Sequence, residues 1–518
     1  MKKIKFCAAV GVVVAAMFVG CATNSGMDVS SSESTKSEKP AKEKKAKAEK
    51  APKQKKAKKQ KFDQAGYDEA AKNGDYATCL GMIASELEAN ADKPKFELQI
   101  DQGLALYFQG DYAASAESLY NADLGLQEGS KDKNYWPSLF EAYTLEAISA
   151  LSEYNNAENP DDGLENAMVR MRRLSEIQTV YDEYLEEIEN AEKASDDPNS
   201  DSGKALATAS QILGIDLVKI KDKKPKKGQL ADRYSDSDFA RLLSTYIREA
   251  YGESSSKFDI RFIKDKDVKE EAQAAFSIPS GNGRVEVFAL SGTIAQKTPL
   301  VNEFPGYDLN GEPIILTLPL VDENGNVFDK FPLRFRFRWP GIEKDKNGGI
   351  VSNSEITSVE ISVDGTTKTA ILVEDFDESL RKDVEYFARA NYSKNVAAVI
   401  AAKSSAAVGG MATVTAAYMT AREAVNAGVP EAMAMKAYIK ARDGLAVAID
   451  EVDMKISPNC EQVKLIPSKA SVAGFDVPAG NHEIVISYKN GDSVVYSEKK
   501  TVNVEAGKPA IIESHCAK

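Results

Sequence analysis

Hydrophobic and polar positions divide the chain into blocks of different period. Phe6–Gly20 is an apolar run behind Lys2, Lys3 and Lys5. It is shorter than the roughly 20 residues a membrane-spanning helix needs, so residues 1–20 read as a signal peptide. Residues 21–61 carry no apolar period and predict a solvated tether. From Phe62 apolar residues recur at helical spacing, giving a helical domain over 62–258. Its later helices are expected at Trp136–Asn155, Gly163–Ala194, Gly203–Ile220 and Ser237–Tyr251. The period then shortens to that of strands at Val285–Leu290, Pro313–Pro319, Leu333–Trp339, Ser358–Val363 and Thr369–Val373, within 259–374. A helical insert over 375–452 separates these from strands expected at Glu461–Pro467, His482–Lys489, Val494–Val504 and Pro509–Glu513, within 453–518. The pattern predicts an α+β multidomain chain: an α-hairpin array, then an antiparallel β-sandwich interrupted by helices.

Local signals refine these blocks. Leu333–Trp339 alternates four apolar residues with Arg334, Arg336 and Arg338, as a strand with one solvated face does. Asn324-Gly325, Asp364-Gly365 and Asn490-Gly491 are hairpin signals. Val396–Ala421 is Ala-rich, but Lys403, Ser404, Ser405 and Gly409-Gly410 interrupt it, which favours a buried or helix-pairing segment over a membrane span. Glu374, Asp375, Asp377 and Glu378 precede a helix, where carboxylates suit the N-terminal dipole. Asn73-Gly74-Asp75-Tyr76 and Gln109-Gly110-Asp111-Tyr112 lie 36 residues apart. That spacing is close to the roughly 34-residue period of tetratricopeptide (TPR) repeats. Each phrase falls where the turn between paired helices belongs, and Gly103 stands where close helix contact needs a small residue.

Further motifs resemble an uncharacterised family of bacterial TPR-bearing lipoproteins of the periplasm and outer membrane. Leu164–Arg173 resembles its "A-L-V-E-x-R-R" helix, and Phe239–Ser244 its "F-A-R-Y-L-S" segment. Gly281–Leu290 and Ile314–Leu320 are similar to two of its strands, and Val477–His482 to its "L-P-P-G-x-H/Y" turn. Met168 and Arg170 replace the family's Leu and Glu. The resemblance implies a membrane-anchored protein with a helical repeat domain and a C-terminal β domain. It implies no established activity; some family members look associated with lipoprotein regulators of cell-wall synthases.

Phe18-Val19-Gly20-Cys21 resembles a relaxed lipobox, with Cys21 positioned for a thioether-linked diacylglycerol. A multiply acylated Cys21 anchors stably, since each buried CH₂ contributes about 0.8 kcal/mol. Ala22 follows, so the expected address is the outer membrane, facing the periplasm. Cys460 and Cys516 flank one β-rich module in a compartment that permits disulfides, leaving a bond and two free thiols as alternatives. Cys79 is expected to be a buried helical thiol.

Charge separates tether from body. The signal contributes +3, residues 21–35 −2 and residues 36–61 +10, which leaves −24 for residues 62–518 against a total of −13. The acidic body argues against nucleic-acid binding. The basic tether reads either as a soluble spacer or as a dock for an anionic surface. Arg170, Arg172 and Arg173 on one helix are candidates for partner contact, against the alternative that they pair with Glu165, Glu176 and the acidic run 182–189.

Only His482 and His515 are available for histidine chemistry, and both are expected to be structural. The chain lacks the phosphate-loop, H-E-x-x-H, G-x-S-x-G and C-x-x-C patterns. The expectation is a non-enzymatic envelope scaffold, without metal or small-molecule cofactor, that binds protein partners through the concave face of its helical array. A periplasmic glycan-binding or glycan-processing role for carboxylates of the β half is the alternative. Labelling with a palmitate analogue will mark the wild-type chain and miss Cys21→Ser; label on the serine variant overturns the lipobox assignment.

Overall fold

The computed structural model describes residues 62–91, 95–127, 137–196, 204, 236–253, 255–304, 316–322, 324, 326–390, 392–452, 458 and 460–518. Cys21, the tether and the helix expected at Gly203–Ile220 lie outside the described residues, apart from Lys204. The chain is α+β.

Six helices pair in sequence: α1 (Gln64–Asn73), α2 (Tyr76–Ala89), α3 (Phe96–Phe108), α4 (Tyr112–Gln127), α5 (Leu139–Asn156) and α6 (Pro160–Asp196). Both repeated phrases form turns between paired helices. Gly74 and Gly110 take positive φ, 68° and 82°, where a side chain would be strained. Asp75 and Asp111 cap the following helices, accepting from Thr78 N and Ala114 N at 3.1 and 3.2 Å. A Cβ on Gly103 would stand 2.4 Å from Leu119 Cδ2, so this glycine lets α3 and α4 meet. At the start of α5, Ser138 and Glu141 form a capping box. That helix packs against both α4 and α6, and most of its length is buried. Two further helices follow, α7 (Asp238–Tyr251) and α8 (Lys266–Ala274).

Among the described residues there are twelve strands. They are β1 (Asn282–Ser291), β2 (Lys297–Phe304), β3 (Leu316–Val321), β4 (Val327–Leu333), β5 (Phe335–Ile342), β6 (Ser358–Val363), β7 (Thr366–Thr369), β8 (Ile371–Asp375), β9 (Lys469–Pro478), β10 (Gly480–Asn490), β11 (Ser493–Val504) and β12 (Pro509–Cys516). Between β8 and β9 come α9 (Phe376–Ala390), α10 (Tyr392–Asn426), α11 (Glu431–Ala434) and α12 (Lys436–Val452). One four-stranded sheet runs β12-β1-β9-β8 and another β11-β10-β6-β7. They share a core in which Val285, Val287 and Ala289 meet Ile361, Val363, Ile484 and Ile486.

Strand β1 is buried on its other face too. Phe288 and Leu290 belong to the helical core, and the Phe288 ring lies 5.6 Å from Phe239 of α7. On that same face Arg284 and Glu286 are buried together, and Arg284 also pairs with Glu271 and Asp476. Burial pushes Glu286 up to about 8, against the pull of Arg284.

Several expectations change. The pairing of β1 with β12 is parallel, from Arg284 opposite Pro509 to Ser291 opposite Cys516. The chain enters β12 from β11 in the facing sheet, so it arrives by a crossover rather than a hairpin. Residues 461–467 are not a strand, because their backbone groups are bound elsewhere: Lys464 N and Leu465 N donate to Asp101. Strand β9 was not expected; Gly474 interrupts its apolar pattern where Arg284 and Glu271 pass close by. Strands β2–β5 join neither large sheet but form two separate pairs, β2 with β5 and β3 with β4. The β3–β4 pair packs on the insert through Leu320, Phe331, Ala407, Val414, Leu445 and Ile449. The Ala-rich α10 is therefore a helix-pairing element, set against α12.

Replacing Gly103 with Val should cost about 1–3 kcal/mol, because Leu119 is fully buried and cannot yield. Gly81→Ala on the open side of α2 should instead gain about 0.5–1 kcal/mol. Urea midpoints of the two variants check the contrast.

Candidate functional site

The three arginines singled out in the sequence separate on the folded chain. Arg170 is buried, with its guanidinium 3.7 Å from Asp123 of α4 and 4.0 and 3.8 Å from Glu146 and Glu153 of α5. Its other neighbour is the Tyr120 ring, whose centroid is 4.9 Å from Cζ. Arg173 reaches Asp123 at 2.8 Å and pairs with Glu176. Only Arg172 is solvent-facing, 3.3 Å from Glu253. Arg170 is thus corrected from a partner-facing residue to an interior one. Its partners stand on α4 and α5, beyond the reach of the i, i+4 pairing considered in the sequence.

Glu146 is fully buried, and burial first, then the nearby Asp123, pushes its pKa well above the usual carboxylate range; Arg170 opposes this. The cluster welds α4, α5 and α6 together. Tyr120 and Leu124 of α4 and Val169 and Val180 of α6 remain exposed, Val169 by 54%. Tyr120 and Leu124 are one helical turn apart and share a face.

The remaining candidates have structural partners. Cys460 and Cys516 are free thiols, which corrects the disulfide alternative. Cys516 points into the core between the two large sheets, whereas Cys460 lies beside Lys297 and Lys464 on the segment before β9. Cys79 is buried as expected, and burial pushes it up to about 12. His482 bonds Asp364 at 2.6 Å and Pro478 O at 2.7 Å. His515 stacks on Phe108 at 3.9 Å between centroids and contacts Tyr76 Oη at 3.1 Å; burial pushes its pKa down to about 3. Of the acidic run, Asp375 caps α9 by accepting from Glu378 N at 3.0 Å. Glu374 caps a different helix, accepting from Ser237 Oγ at 2.5 Å and Phe239 N at 3.2 Å on α7. Asp377 accepts from Ala295 N and Ser468 Oγ. Arg336 of the alternating strand meets Asp450 of α12 at 3.0 Å.

The helical array also meets the chain's own strand half. Asp101 of α3 accepts from Lys464 N and Leu465 N, and Asp68 of α1 lies 3.6 Å from Lys464 Nζ. Glu513 of β12 accepts from Tyr112 Oη of α4 and Asn155 Nδ2 of α5. Phe140 of α5 meets Phe376 of α9, with ring centroids 6.4 Å apart. Residues of α1, α3 and α5 are therefore engaged within the molecule, as are Tyr76 of α2 and Tyr112 at the start of α4, whereas Tyr120 and Leu124 further along α4 and Val169 of α6 stay exposed. Sequence reasoning missed Asp101, because its donors Lys464 and Leu465 lie 363 and 364 residues away in the chain. Among the described residues no group of three or more His, Cys, Asp or Glu is placed to hold a metal ion, and no helix is long and apolar enough to cross a membrane.

Arg170→Met should destabilise the fold by about 3–5 kcal/mol, since Glu146 and Asp123 lose a buried counter-charge. Arg172→Ala should stay within about 0.5 kcal/mol of the parent. Denaturant titration of both variants tests the division.

No family model, no curated protein and no solved structure matches this chain.

Proposed function

We propose that this chain is a lipid-anchored adaptor of the bacterial cell envelope. In this reading Cys21 is acylated and holds the protein on the outer membrane, facing the periplasm, with the basic tether as spacer. Helices α1–α6 act as a TPR-like array, and the two large sheets as a β-sandwich interrupted by the α9–α12 insert. The array presents a rigid face to an envelope protein, with cell-wall assembly as the setting suggested by the resemblance to TPR-bearing lipoproteins.

What supports the reading is that Tyr120 and Leu124 of α4 and Val169 and Val180 of α6 are exposed on helices held together by the buried Asp123, Glu146 and Arg170 and the half-buried Arg173. Binding energy concentrates on aromatic and arginine-rich patches that are already rigid, because little side-chain freedom is lost on association. Paired-helix arrays supply such surfaces over a large area. The partner face proposed is the outward α4–α6 side rather than the inner one, since α1, α3 and α5 already hold residues of the strand half.

The test is site-specific photocrosslinking of the full acylated chain in envelope fractions. A crosslinker at Tyr120 should give a discrete protein adduct that a crosslinker at Lys499, on the exposed β10–β11 hairpin, does not give. Val169→Asp should abolish that adduct while leaving the thermal midpoint unchanged. The same adducts from both positions, or persistence with Val169→Asp, would sink the proposal.

A further inference from the structure

We propose that the seam between the helical array and the strand half is a proton-operated clasp, closing more tightly on mild acidification and loosening as the pH rises, with Asp101 and Glu374 as its staples. Each carboxylate crosses the seam. Asp101, on α3, accepts from Lys464 N and Leu465 N, both at 2.9 Å, and from Tyr67 Oη at 2.8 Å. Glu374, at the end of β8, accepts from Ser237 Oγ and Phe239 N at the start of α7, and Ser379 Oγ of α9 lies 3.4 Å away. Both side chains are buried.

Burial sets the sign, and the groups that face each carboxylate set how far it is offset. Around Asp101 stand Tyr67 and Asp68 from α1, Cys79 from α2 and Lys464 from the strand side. The Lys464 ammonium is shared with Asp68 and Gln296. Around Glu374 stand Asp236 and Asp238, both acids; Arg241 is committed to Asp236 and Asp259, and Lys264 lies by the two acids. Among the described residues Glu374 has hydrogen-bond donors but no salt-bridge partner. Among the described residues an ionised Glu374 therefore meets hydrogen-bond donors and, nearby, the like charges of Asp236 and Asp238.

Burial pushes Asp101 up to about 7 and Glu374 up to about 8, against the lowering effect of their donors. Once the seam opens, water restores both groups to values near 4. Between about pH 4 and 8 the open state sheds protons that the closed state keeps, so opening becomes easier as pH rises. The stabilisation is complete below the open-state value and lost as pH passes the closed-state value. Opening uncovers the α1–α3 surface and the start of α7. This inference stands apart from whether the α4–α6 face takes a partner.

Native-state hydrogen exchange of the full chain at pH 5.5 and 8.0, corrected for intrinsic amide rates, tests it. Opening at Leu465 and Phe239 should rise about tenfold or more between the two, relative to Ile486 of β10, which faces away from the seam. Asp101→Asn should flatten the pH slope at Leu465, and Glu374→Gln that at Phe239. Seam opening that is flat or falls with pH in the wild-type chain overturns the proposal, whatever the variants do. So does an equal rise at Ile486, or an unchanged slope in both variants.

Discussion

Burial of β1 on both faces, with Val285, Val287 and Ala289 against the facing sheet and Phe288 and Leu290 against the helices, is the constraint on which the rest of the molecule depends. A strand without a solvent face forces every polar side chain on it to find a partner inside. Arg284 and Glu286 do so by bonding each other, and Arg284 draws in α8 and β9 through Glu271 and Asp476. Because β12 lies beside β1 in the same sheet, its inward side also turns to the helices, carrying Ile511, Glu513 and His515. The helical array and the strand half are thereby two sides of one packed body.

That arrangement explains where the acids of this acidic chain go. Among the described residues Asp101, Glu146, Glu286 and Glu374 are buried, and burial raises each. Two kinds of environment hold them. Glu146 and Glu286 have guanidinium partners within one structural layer. Asp101 and Glu374 instead meet backbone and hydroxyl donors contributed from across the seam, so their protonation state bears on how firmly the halves adhere.

The same seam bears on the proposed adaptor role. Arrays of this kind ordinarily offer their inner helices to an extended ligand. Here the side chains of α1, α3 and α5 reach residues 464–465, β12 and α9 of the same chain. The arginine helix supplies the alternative in the proposed reading: Arg170 and Arg173 tie α6 to α4 through Asp123, and exposed residues such as Tyr120 and Val169 lie on those two helices.

The sequence by itself determined the elements whose rules are local. Gly74, Gly110, Asp75 and Asp111 specify their turns and caps, because positive φ and N-cap bonding are properties of a few consecutive residues. Helices α5, α6 and α7 and strands β1, β6, β10 and β11 follow from apolar period in the same way. Tertiary structure alone decided the rest. Residues 461–467 read as a strand by composition, yet a carboxylate 363 residues earlier in the chain claims the Lys464 amide. Arg170 reads as a surface residue by spacing, yet α4 and α5 enclose it. Cys460 and Cys516 read as a candidate pair, yet they face different surroundings. In each case the deciding partner is remote in sequence, and no periodicity along the chain records which distant groups a buried side chain will meet.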